Sequence, residues 1–177
     1  MFKHVFVLGT GRCGTTTFVK ACEHFTNYTA EHESRTRLLG TDRLAYPEFH
    51  IEADNRLSWL LGRVDETFGD SAFYVHLTRD KHKVAVSYAK RKKGLMEAYM
   101  GKGILHGCHE PNKVLVAEDM VDTVTANVNL FLKDKTNCMD FRLENAAEDF
   151  ATFAQRIGAE GNLEAALHEF SVKHNAS

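Results

Sequence analysis

Proline is nearly absent: Pro47 and Pro111 are the only two in 177 residues, and no repeat, low-complexity tract or proline-rich stretch divides the chain. A string of linker-joined modules is thereby excluded. One domain over 1–177 is expected, with 44% hydrophobic residues to fill its core. Long apolar runs are missing as well. None approaches the roughly 20 residues of a membrane helix, and no signal-peptide pattern precedes the first apolar segment. The expectation is a soluble, cytoplasmic protein with no membrane partner. Cysteine is sparse, at positions 13, 22, 108 and 138, without the paired spacing of a zinc site, so free thiols in a reducing compartment are expected. His106, Cys108 and His109 cluster, but no second ligand pair joins them, and no metal is expected. A net charge of −2 argues against a general nucleic-acid binder. Positive charge is nonetheless concentrated at Arg79, Lys81, Lys83 and residues 90–93, as a solvated helix face or as a grip for a nucleotide or an acidic acceptor.

One lysine is missing from a place that usually demands it. Val5-Phe6-Val7-Leu8 runs into Gly9-Thr10-Gly11-Arg12-Cys13-Gly14-Thr15-Thr16-Thr17, and residues 18–25 follow with helical spacing. The order is strand, glycine-rich loop, helix. Glycines let such a loop fold its N–H groups into a nest, with the positive end of the helix dipole behind it, which suits an anion. Gly9 and Gly14 match the glycines of the nucleotide-triphosphate loop G-x-x-x-x-G-K-[ST], but Thr15 stands where that loop has lysine. The clamp on a γ-phosphate is gone, while Arg12 offers a guanidinium from within the loop. This argues against a small-molecule P-loop kinase and for another anhydride.

A second anion site is legible downstream. Residues 72–80 read as a buried strand ending in Arg79, and Ser87 follows eight positions later on a helix over 81–93. A planar guanidinium fork and a hydroxyl donor suit a phosphate. Elsewhere the pattern predicts a short strand at 28–30, an irregular loop over 34–50, and helices over 54–68 and 118–135. A lid or insertion is expected over 94–114, a strand over 138–143, and closing helices over 150–158 and 163–173. Strands alternating with helices imply a three-layer α/β/α fold with a central parallel sheet, P-loop NTPase-like, in which both anion motifs end strands on one edge.

Together the two motifs resemble the sulfotransferases that use 3′-phosphoadenosine 5′-phosphosulfate (PAPS). Gly11-Arg12-Cys13-Gly14-Thr15-Thr16 occupies the places of that family's phosphosulfate loop, and Arg79 with Ser87 those of its 3′-phosphate site. Met139-Asp140-Phe141-Arg142-Leu143-Glu144 is loosely similar to a further family strand. The resemblance implies PAPS as donor, held by Gly11, Arg12, Cys13, Gly14, Thr15, Thr16, Thr17, Arg79 and Ser87, at opposite ends of one nucleotide. It also implies transfer of a sulfuryl group to a hydroxyl of a small molecule or glycan. Arg12 is then catalytic, and the base comes from near the second strand end, with Glu33 first and His32 next; Glu31, His50 and Glu52 are held in reserve. Cys13 replaces the family's common serine and Lys81 a common proline. No Arg-Lys-Gly motif closes the chain, Arg156-Ile157-Gly158 being only an echo of it, and Trp59 and Phe73 stand between core packing and adenine stacking. A non-catalytic nucleotide-binding module would keep Arg12, Arg79 and Ser87 and lack a working base.

Overall fold

Residues 1–91, 93–172 and 174 are described by the computed structural model; Lys92 and Lys173, which the sequence pattern assigns to helices, lie outside them. In chain order the regular elements are β1 (His4–Leu8), α1 (Thr15–Cys22), β2 (Thr29–His32), β3 (His50–Ala53), α2 (Leu61–Phe68) and β4 (Phe73–Thr78). They continue with α3 (Lys81–Ala89), α4 (Leu95–Met100), α5 (Lys113–Leu132), β5 (Cys138–Arg142), α6 (Ala146–Ile157) and α7 (Leu163–His168).

The five strands form one sheet in the order β2-β3-β1-β4-β5, and every pairing is parallel. Central β1 has Val5 beside both Ile51 and Phe73. Strands buried on both faces are expected to be continuously apolar, which is why β1 and β4 were legible as runs. Strand alternation sends Val5 and Val7 to the core shared with Phe18, Phe141 and Phe153. Phe6 and Leu8 enter a second core with Val64, Phe68 and Val128. The chain steps from β3 across β1 to β4, so its winding direction reverses beside β1, and the carboxyl ends of β1 and β4 open a crevice there.

Several local expectations are corrected. β3 falls at the end of the stretch read as loop, because His50 and Glu52 look exposed in sequence yet are buried. Their polar atoms are satisfied locally. His50 Nδ1 lies 2.8 Å from Thr29 Oγ1, and Glu52 accepts hydrogen bonds from Ser34 N at 2.8 Å and Ser34 Oγ at 2.5 Å. The helix expected over 54–68 is shorter. Asp54 accepts from Arg56 N at 2.8 Å and opens a 3₁₀ turn, Leu57–Trp59, before α2. β2 runs on to His32, α3 stops at Ala89, and the 94–114 segment contains α4. Among the described residues no helix is long and apolar enough to cross a membrane.

Residues 161–172 are fastened to the end of α1 from far along the chain. Phe25 and Gly161 form an antiparallel bridge, and His24 Nε2 lies 3.1 Å from Glu169 Oε1.

Candidate functional site

The loop between β1 and α1 takes its shape from residues outside it. Ser58 Oγ accepts from Gly9 N and donates to Gly9 O, both at 3.0 Å. A methyl group on Gly9 would run into the backbone oxygen of Leu77, so β1 and β4 approach too closely there for any side chain. Gly11, at φ 76°, is packed against Asn55 and Tyr88, and Tyr88 Oη donates to Thr10 O. Arg12 is also left-handed, at φ 59°, a conformation that a non-glycine residue holds only when its surroundings impose it.

The predicted anion residues meet. Arg12 Nε donates to Ser87 Oγ at 2.9 Å, and Arg79 Nη1 donates to Arg12 O at 3.4 Å. The first turn and the later arginine–serine couple therefore make one continuous wall. Burial, then the nearby Arg91 and Arg79, lowers the Arg12 guanidinium from its ordinary value, a sign of dense positive charge at the loop. Gly14 caps α1 in the left-handed region and lays no side chain of its own over the first turn. Cys13 turns inward: its side chain is wholly buried in the core, burial pushes the thiol up to about 11, and it lines neither cleft described next. Gly11, buried behind the loop, shapes it without lining either cleft described next.

A cleft of about 500 Å³ lined by Glu31, His32 and Ser34 reaches this loop only at Thr16, and two others open on it through Arg12, Thr15 and Thr16 together. The larger, about 680 Å³, is lined by Arg12, Thr15, Thr16 and Thr17 together with Arg79 and Ser87. Lys83 and Lys90 add positive charge, and no carboxylate lines it among the described residues. The smaller, about 350 Å³, is lined by His32, Glu33, Asn55, Arg56 and Tyr88, with Arg91 and Lys93 exposed among its lining. Arg12, Thr15 and Thr16 belong to both.

Of the acid–base candidates, His32 and Glu33 line the smaller cleft, while His50 and Glu52 line neither. His32 Nε2 lies 2.9 Å from Thr15 Oγ1, which ties the end of β2 to the loop. Glu33, at φ 55°, receives Asn55 Nδ2 on Oε1 at 3.1 Å. Arg56 Nη1 is 2.5 Å from Glu33 Oε2, an ion pair lacking the alignment of a hydrogen bond. Asn55 Oδ1 is buried without a hydrogen-bond partner among the described residues. Glu31, His50 and Glu52 bring possible ligand atoms within 4.8 Å of one another, on strand positions outside both clefts; His106, Cys108 and His109 form no such group among the described residues.

Sequence reasoning missed the far wall of the larger cleft. Phe170, Val172 and His174 close it, brought there by the docking of 161–172 onto the end of α1. Nothing in the local pattern marks them, since their role depends on a contact made across most of the chain. Trp59 and Phe73 line neither cleft: Trp59 packs on Tyr99, and Phe73 is buried against Phe2 and Phe153.

A parallel sheet with a glycine loop and an arginine-lined wall at its carboxyl edge defines a P-loop α/β protein. No protein-family model and no curated protein matches the chain. Solved structures do. The sulfotransferase domain from the curacin biosynthetic pathway superposes with a TM-score of 0.68 over 93% of this chain and 77% of that one, at 14% identity. Mouse sulfotransferase SULT7A1, solved as a complex with PAP, gives 0.54 over 95% of this chain and 64% of that one, at 12% identity. The chain thus has a sulfotransferase-like P-loop fold.

Proposed function

We propose that the protein transfers a sulfuryl group from PAPS to a hydroxyl acceptor, releasing adenosine 3′,5′-bisphosphate (PAP). The observation that carries this reading is that Arg12, Thr15 and Thr16 belong to both clefts. A group in flight between donor and acceptor must sit where the two sites meet, and cationic and hydroxyl donors stand at that junction. The larger cleft, rich in cations and free of lining carboxylates, suits a nucleotide with phosphates on both ends of its ribose. SULT7A1, similar in fold, binds PAP, which supports the same donor here. Thr15 in place of lysine argues against a triphosphate.

In the proposed step the acceptor oxygen bonds to sulfur as the bond from sulfur to the 5′-phosphate oxygen breaks. The acceptor proton passes to Glu33, and negative charge gathers on the leaving phosphate oxygen, where Arg12, Thr15, Thr16 and the loop amides stabilise it. A carboxylate can accept about four hydrogen bonds. Glu33, with Asn55 and Arg56 on its two oxygens, keeps capacity for a hydroxyl while its direction is fixed. His32, bonded to Thr15, is the positioning residue between β2 and the loop.

Calorimetric titration tests the donor. PAP is expected to bind at least about tenfold more tightly than ADP, because only PAP offers a 3′-phosphate to the arginine–serine wall. Equal affinities would sink the reading. For the base, Glu33→Gln keeps the contact to Asn55 but takes no proton, so kcat in a labelled-PAPS assay is expected to fall about 10²-fold with PAP affinity nearly unchanged. Unaltered turnover would remove Glu33 from the mechanism.

A further inference from the structure

We infer that the acceptor is itself an anion, carrying a carboxylate, sulfate or phosphate group beside the hydroxyl that reacts. This rests on the reading of the smaller cleft as the acceptor site, and it follows from the cleft's charges. Of its charged lining residues, Glu33 and Arg56 neutralise each other at 2.5 Å. Arg12 belongs to the junction with the donor cleft. That leaves Arg91 and Lys93, both exposed at the rim, and no carboxylate pairs with either among the described residues.

Their placement is fixed by backbone structure. Arg91 N donates to Tyr88 O at 2.8 Å, extending the end of α3. Gly94, at φ 92°, then turns the chain into α4, and Ala98 N bonds Gly94 O at 3.0 Å. Arg91 thus follows the end of α3 and Lys93 immediately precedes Gly94 at the start of α4, with Leu95 also lining the cleft. Neither lines the larger cleft, which has Arg79, Lys83 and Lys90 of its own. Two cations unpaired among the described residues, lining a cleft that also holds one self-neutralised ion pair, favour an acceptor of opposite sign and raise its encounter rate. They also disfavour a cationic acceptor, which would meet like charge there.

Matched pairs differing only in charge provide the test: methyl β-D-glucuronide against methyl β-D-glucoside, and 4-hydroxybenzoate against 4-hydroxybenzamide. Each is titrated into the full chain, with and without PAP. In at least one pair the anion is expected to bind about tenfold more tightly, as two partly exposed cations would provide. The advantage should shrink as ionic strength rises and disappear in the variant R91A/K93A. An unfolding midpoint close to the parent's separates a lost acceptor contact from misfolding, and PAP affinity should fall only modestly, Arg91 being near Arg12. The inference is overturned if the neutral member binds as well as the anion in both pairs, if no anion binds, or if the preference survives R91A/K93A. Failure of PAP to bind removes the donor reading instead, and the charge preference is still read from the titrations without it.

Discussion

Arg12→Ala is expected to lower kcat about 10³-fold while weakening PAP binding far less, measured by labelled-PAPS turnover and calorimetry on the same preparation. Arg12 belongs to both clefts, so in the proposed transfer its guanidinium meets charge that develops only as the bond to the leaving phosphate breaks. An interaction of that kind raises kcat, whereas one made equally in the ground state changes only affinity. Arg79 provides the internal control. It lines only the donor cleft, and Arg79→Ala should weaken PAP binding more than it slows turnover at saturation. Because Arg79 also donates to Arg12 O at 3.4 Å, some loss of rate is expected to accompany it. Equal, small effects from both substitutions would show that the chemistry lies elsewhere.

The second large effect is on stability. Asp54→Ala should destabilise the fold by about 3–5 kcal/mol in chemical denaturation, because it strands a buried guanidinium. Asp54 is fully buried and Arg43 nearly so, and Arg43 Nη2 donates to Asp54 Oδ2 while Nη1 donates to Tyr46 Oη at 2.9 Å. Burial raises the Asp54 carboxyl above the ordinary aspartate range, opposed by Arg56 N and by Arg43. Asp54 also begins the turn that holds Ser58, and Ser58 in turn holds Gly9. Asp54→Asn retains an acceptor for Arg56 N and should cost less than alanine. A loss below about 1 kcal/mol for Asp54→Ala would mean that water reaches Arg43 and that the pair is not the anchor described.

Much of the fold was legible in the sequence because strands covered on both faces leave apolar runs. β1 and β4 announced themselves this way, and the glycine loop followed from the spacing of Gly9 and Gly14. β3 did not. In His50-Ile51-Glu52-Ala53 every second residue is polar, and the burial of His50 and Glu52 depends on Thr29 and Ser34, which local hydropathy does not register. The site divides similarly. Arg12, Arg79 and Ser87 were readable as chemistry at strand ends and do converge. Cys13 was not, because a loop position says nothing about which way its side chain turns. The ion pair between Glu33 and Arg56, and the wall formed by Phe170, Val172 and His174, arise from contacts between segments distant in sequence.

An all-parallel sheet has a kinetic corollary. No two of its strands can pair through a hairpin, so each contact waits on a long crossover and the loss of entropy that closing it entails. The shape of the glycine loop is consequently a late product of assembly, since it awaits the arrival of Ser58, the Leu77 carbonyl and Tyr88 from three other stretches. Competence to capture an anion would thus mark a nearly finished molecule, and a refolding chain should acquire it only after its central strands have come together.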